Sequence, residues 1–141
     1  MKNLILDSEP LSRLARLGDG SQTRSRVLNA VQSALNDDVD ILVPAAVLAE
    51  LYRGGEFNQE LDACLNRYRS IEIVPTGKGL ARRIGEVLAR AGLGSEHHVD
   101  ASLVAAAMVR GGGVILTGDP TDLEALASPW PNIVVVPLTR M

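Results

Sequence analysis

Aromatic side chains are almost missing from this chain of 141 residues, which has one Trp, one Phe and two Tyr. That scarcity excludes a core of stacked rings and leaves little for stacking on nucleic-acid bases. Apolar residues still make up 46% of the chain, so the core must be aliphatic, as suits helices packed on a buried sheet. Cysteine occurs once, at Cys64, which excludes an internal disulfide and points to a reducing compartment. Within the helical stretch ELDACLNRY it reads as a small core residue rather than a nucleophile. No charged-then-apolar leader opens the chain, and NLILD is too short to be one. The longest run free of charge and strong polarity, around Leu42 to Ala49, contains Pro44 and falls short of a membrane span. The expectation is a cytoplasmic protein that is not membrane-bound. A basic excess is absent too: the formal net charge of −3 argues against the broad positive footprint of a general nucleic-acid binder. Four carboxylates set aside around cations would bring the remainder to +1, which leaves room for a locally positive rim.

What is present is an alternation of short apolar runs and amphipathic stretches. Residues 3–7, NLILD, read as a buried strand ending in an acid. Pro10 marks where a helix can start, and Leu11, Leu14, Ala15 and Leu17 repeat at helical spacing up to Gly18. After the loop DGSQTR, residues Val27, Leu28, Val31, Ala34 and Leu35 mark a second helix. Residues 40–43 are strand two, closed by Pro44. Ala45 to Arg53 reads as a helix ending at Gly54–Gly55, and a further one runs from Asn58 to Tyr68. Residues 71–74 are strand three. A helix through Leu80, Ile84, Val87 and Leu88 stops at Gly92, and GLGSEHH is a loop. Val99 to Val109 predicts a helix buried on most sides, broken by Gly111–Gly113. Residues 114–117 are strand four, Asp122 to Ala127 a short helix, and residues 133–136 strand five. The order predicts a three-layer α/β/α sandwich with a mainly parallel sheet of about five strands. Without a repeat, low-complexity tract or linker, residues 1–141 read as one domain.

Open α/β sheets bind ligands outside the carboxyl ends of their strands. Asp7 ends the first strand, and Asp119 lies two residues beyond strand four. Two more acids stand in apolar surroundings, Glu50 in AAVLAELYRG and Asp100 in HHVDASLVAAA. A buried carboxylate needs a cation or hydrogen-bond donors. Each acid also has a plain structural explanation. Asp100 suits a helix N-terminus, Asp7 and Asp119 suit helix caps, and Glu50 can pair with Arg53. One divalent-cation site accounts for all four together. Hard oxygen ligands without Cys select Mg²⁺ or Mn²⁺. Thr117 is placed to hold a carboxylate or a water behind such an ion. Asp122 reads either as an acid in the first turn of the short helix or as a fifth carboxylate at the site.

The segments LILDSEPLSRLARLG, VPAAVLAELYRG and VDASLVAAAMVRGGGVILTGDPTDLEAL together resemble the PIN domain, and more narrowly the VapC-type toxin ribonucleases. The resemblance spans nearly the whole chain. It implies that Asp7, Asp100 and Asp119 are metal ligands, that Glu50 is the family's helical glutamate, and that Thr117 belongs to its Thr-x-Asp segment. It further implies RNA cleavage with Mg²⁺ or Mn²⁺, a homodimer, and inhibition by a cognate antitoxin protein. Two features depart from the pattern. Ser8 is followed by Glu9 rather than by a second small polar residue, and Gly111–Gly113 is richer in glycine than usual.

Smaller signals receive weaker readings. Arg13, Arg16, Arg24, Arg26 and Arg53 can line a phosphate track, although arginines on amphipathic helices are commonly just solvated. His97 and His98 are loop histidines without an assigned role. Gly77–Lys78–Gly79 lacks the spacing of a phosphate-binding loop. A phosphoacceptor signalling domain would want paired acids after strand one and a lysine after the last strand, yet no lysine follows Lys78. A dehalogenase-like phosphatase would want Asp-x-Asp, which Asp7-Ser8-Glu9 only approximates. A silent, partner-binding relative of similar fold is the remaining alternative.

Overall fold

A computed structural model describes residues 2–140 of the protein. Its strands are β1 (Asn3–Leu6), β2 (Asp40–Pro44), β3 (Ile71–Val74), β4 (Gly113–Thr117) and β5 (Ile133–Pro137). They form one sheet in the order β3-β2-β1-β4-β5, and every ladder is parallel. The helices are α1 (Ser8–Ala15), α2 (Gln22–Asn36), α3 (Ala45–Leu51), α4 (Glu56–Arg67), α5 (Lys78–Ala91), α6 (His98–Val109) and α7 (Pro120–Ala127). Parallel strands need crossover connections, and right-handed crossovers place helices on opposite faces when the chain reverses its direction across the sheet. Accordingly α1 packs on α2 and α4, whereas α5, α6 and α7 pack on one another. The result is the expected three-layer sandwich.

Local chemistry sets most boundaries. The Ser21 hydroxyl accepts from the Arg24 N–H at 3.2 Å and starts α2. Gly92, at φ 67°, ends α5 in the left-handed conformation. Pro120 opens α7, where its missing N–H costs nothing, so that helix begins two residues before the expected Asp122. The first helix starts at Ser8 rather than Pro10 and stops at Ala15. Leu17 therefore lies beyond it and is 64% exposed, contrary to its expected place on the helical stripe. Similarly α3 ends at Leu51 instead of Arg53, α4 begins at Glu56 instead of Asn58, and Ser95–His97 forms a 3₁₀ turn within the expected loop.

The core is aliphatic on both sheet faces. All four residues of β1 are buried, as are seven successive residues of α6 from Ala101 to Ala107. Small side chains let α6 lie close over β1, β2, β4 and β5. The buried Ser102 hydroxyl is satisfied by donating to the Val99 carbonyl at 2.5 Å. Cys64 is fully buried, and that burial pushes its thiol pKa up, as suits a packing residue. Among the described residues, no helix is long and apolar enough to cross a membrane.

The glycine triplet has a steric cause. Gly112 and Gly113 have φ of 108° and 153°. A Cβ on Gly113 would lie 2.5 Å from the Asn3 carbonyl oxygen, and one on Gly112 would lie 2.6 Å from that of Asn132. The Asn3 amide locks this turn by donating to the Gly112 carbonyl at 2.7 Å and to that of Arg110 at 3.1 Å. Gly113→Ala should therefore destabilise the protein by on the order of 2 kcal/mol in urea denaturation. Gly111→Ala should lose less, because the nearest atom there is the mobile Lys2 Nζ at 3.4 Å. Equal stability of Gly113→Ala and the parent would contradict this account.

Candidate metal centre at the strand switch point

Strands are added outward from β1 to β2 and β3, and then from β4, on the other side of β1, to β5. The crevice between the carboxyl ends of β1 and β4 is thus the switch point at which such sheets bind ligands. Leu6 pairs with Leu116, which puts Asp7 beside Thr117. The Asp7 N–H continues the ladder by donating to the Leu116 carbonyl at 3.0 Å. Asp7 is the N-cap of α1 rather than the last strand residue, and its Oδ1 accepts from the Ser8 N–H at 2.7 Å. Its Oδ2 accepts from the fully buried Thr117 hydroxyl, also at 2.7 Å. Thr117 Oγ1 accepts in turn from the Asp119 N–H at 3.0 Å. One hydroxyl therefore ties Asp7 to the turn that carries Asp119. Asp119 occupies the N-cap position of α7 but makes no side-chain capping bond, so the helix does not consume its exposed carboxylate.

Asp100 is half-buried in the first turn of α6. Among the described residues, none donates a hydrogen bond to its carboxylate. Its pKa is pushed from 3.8 up to about 6, first by burial and then by the charges of Asp7, Asp122, Asp119 and Glu50, in that order. Asp7 is raised as well. Burial is the largest cause and Glu50 adds to it, against the hydrogen bonds from Thr117 and Ser8. Asp100 therefore feels the charges of the other three acids singled out in the sequence, and Asp7 feels that of Glu50.

Two expectations about Glu50 need correction. It is exposed on the last turn of α3 and not an acid stranded in apolar packing. Nor does its carboxylate pair with Arg53, whose Nε donates to the Glu50 backbone carbonyl at 3.0 Å. The carboxylate instead accepts from the Ser8 hydroxyl.

The tightest trio of donors among the described residues differs from the four expected acids. Ligand atoms of His97, Asp100 and Asp122 all lie within 4.8 Å of one another, and His97 Nδ1 stands 3.8 Å from Asp122 Oδ2. Asp122 lies in the first turn of α7, and its carboxylate belongs to this trio. His97 had no assigned role in the sequence. The available signal was its position three residues before Asp100, which a helical turn brings together. Glu9 also reaches the site's edge. It lies against Gly118, where an added Cβ would sit 2.5 Å from Glu9 Cδ, and Arg13 pairs with it at 3.5 Å.

Several expected phosphate-track arginines are engaged elsewhere. Arg13 also meets Asp19 at 3.2 Å, Arg24 donates to the Arg13 carbonyl, Arg26 donates to the Leu138 carbonyl, and Arg16 lies over the Phe57 ring. The donor chemistry that remains fits a divalent cation. Carboxylate oxygens suit Mg²⁺ or Mn²⁺, and a neighbouring imidazole widens the set toward Mn²⁺. A half-buried carboxylate without a donor, amid like charges, is stabilised most directly by a cation.

The model of the PIN domain family matches residues 4–128. Among solved structures, the chain is similar to one of VapBC2 from Rickettsia felis bound to a DNA fragment from their promoter. The TM-score is 0.63 and the identity 16%, over 95% of this chain and 97% of that one. It is likewise similar to one of DNA-bound VapBC from Salmonella typhimurium, with TM-score 0.66 and 17% identity over 98% of this chain and 99% of that one. At such identities the likeness speaks for the fold. No curated protein matches the sequence significantly.

The raised pKa of Asp100 carries a stability consequence. Its folded form holds a proton more tightly than its unfolded form, so the contribution of Asp100 to metal-free stability is fully present below about pH 4 and is lost as pH rises through about 6. Asp100→Asn removes this penalty. With chelator present, the variant should exceed the parent at neutral pH by on the order of 1 kcal/mol, after discounting for solvent screening, and match it near pH 4. Urea titrations at the two pH values check this, and a variant less stable than the parent at neutral pH would refute the electrostatic account.

Proposed function

The chain belongs to the PIN domain family, and from that premise we propose that it is a divalent-cation-dependent endoribonuclease of the VapC toxin type. The observation that carries this reading is the gathering of Asp7, Glu50, Asp100 and Asp119 at one switch point, where Asp100 feels all the others.

In this reading Asp7, Asp100 and Asp119 hold Mg²⁺ or Mn²⁺, with Asp122 and His97 beside them. When bound, the ion supplies Lewis acidity toward a phosphodiester, lowers the pKa of water and neutralises the leaving oxygen. The protein's own part is positional. Thr117 fixes Asp7 through Oδ2 and fixes the Asp119 turn through its N–H, so two carboxylates keep a set spacing before any ion arrives. Ser8 serves twice: its N–H holds Asp7 Oδ1, and its hydroxyl holds the Glu50 carboxylate. Glu50, the exposed member of the group, is placed to orient water for attack on phosphorus and to take its proton. Asp100 gives up its proton more readily once a cation offsets the surrounding charge.

The likeness to VapBC structures supports a cognate antitoxin as partner. Its helix or extended arm would rest near LARLG, where Leu17 is exposed, and near VLAELY, and present a basic side chain to the acids. A homodimer in the cytoplasm completes the proposal.

Asp7→Asn and Asp100→Asn should each lower RNA cleavage on the order of 100-fold or more in Mg²⁺ or Mn²⁺ buffer, while far-ultraviolet circular dichroism stays unchanged. Chelation should stop cleavage by the parent, and Mn²⁺ should restore it. Undiminished cleavage by both variants would sink the reading. Co-purification with the product of the neighbouring reading frame tests the antitoxin.

A further inference from the structure

Beside the acid centre lies an open groove of about 450 Å³ that the proposed chemistry does not use. It is lined by α3, where Ala45 and Ala49 stand one helical turn apart and offer only methyl groups. Thr76, which follows β3, and His98, the first residue of α6, line it as well. Arg53 and Glu50 complete the lining, and Glu50 belongs to the acid group as well, so the groove runs into the candidate metal centre without a break.

We propose that this groove is the subsite for a nucleobase of single-stranded RNA next to the phosphate that is cut. The inference rests on the ribonuclease reading and adds to it the element that selects the cut site. Three observations favour a base over other occupants. The alanine methyls in its lining accommodate the face of a ring without an aromatic partner, which a chain so poor in aromatics has little means to supply. Polar groups share the lining, so that the Thr76 hydroxyl, the His98 imidazole and the Arg53 guanidinium can address the hydrogen-bonding edges of a splayed-out base. Arg53 is the one expected track arginine in this lining, and the bond from its Nε to the Glu50 carbonyl pre-orients the rest of its planar fork.

Ala49→Trp fills the groove from an exposed helix position, which the fold tolerates. Arg53→Gln removes the charge without filling it. Sequencing the ends of products from a random RNA pool should show a base preference beside the cut for the parent, and its flattening in both variants. KM should rise about tenfold for Ala49→Trp, while Mn²⁺ affinity by calorimetry stays the same. Binding of a short single-stranded RNA, measured in the Asp100→Asn background, should weaken about tenfold when Ala49→Trp is added. Unchanged base preference or unchanged RNA binding in Ala49→Trp overturns the subsite. Loss of antitoxin binding with RNA binding intact overturns it too, in favour of a protein arm. If the parent does not cleave RNA but Ala49→Trp still loses RNA binding, the ribonuclease reading fails and the groove stands.

Discussion

Like charges held close against their mutual repulsion are the constraint around which this molecule is arranged. Carboxylates in water separate; here the backbone forbids it. Asp7 is anchored by the β1–β4 ladder, Asp119 by the turn after β4, and Asp100 by a helix whose next seven residues are buried. The sheet and α6 supply the aliphatic burial that offsets the repulsion. The elevated pKa of Asp100 measures how far the arrangement departs from what free carboxylates prefer. The repulsion among these carboxylates is what a bound cation would offset.

The sheet and the helix order were legible in the sequence because aliphatic runs of strand length recur between stretches with helical period. The Val99–Val109 segment needed no finer reading, since an uninterrupted apolar run with many alanines can only be buried. Helix ends were harder to place. Leu17 fits the helical stripe by spacing, but the chain leaves the helix after Ala15, and no local residue announces it. The acids Asp7, Asp100 and Asp119 could be located because they follow strand ends or open a helix. The surroundings of Glu50 could not, since apolar neighbours in sequence do not say which face of a short helix meets solvent. His97 escaped for a related reason: a histidine in a Gly-rich loop gains meaning only when a 3₁₀ turn sets it against Asp122, which is 25 residues away.

Charge balance also takes on a different sense once the partners are known. A net charge of −3 disfavours a broad nucleic-acid surface, and the arginines nearest the first strand do not supply a local one. Arg13 is divided between Glu9 and Asp19, while Arg24 and Arg26 cap backbone carbonyls. They brace α1, α2 and the chain's last turn. In the ribonuclease reading, attraction of a polyanion would fall to cations held at the centre and to guanidinium groups at its edge, and Arg53 is the arginine that lines the neighbouring groove.

The acid at the edge follows from the same logic. Glu9 stands where the related pattern has a small polar residue, and it rests on Gly118, the one residue between Thr117 and Asp119. A side chain at that position would push the Glu9 carboxylate away, so glycine and glutamate are matched to one another. With Arg13 beside it, Glu9 is largely neutralised toward the centre and adds little to the repulsion there. Its effect is steric: it covers the turn that sets the distance from Asp119 to Asp7. The Thr117 hydroxyl below and the Glu9 carboxylate above thus hold that turn, and the backbone spacing from Asp7 to Asp119 is built into the protein.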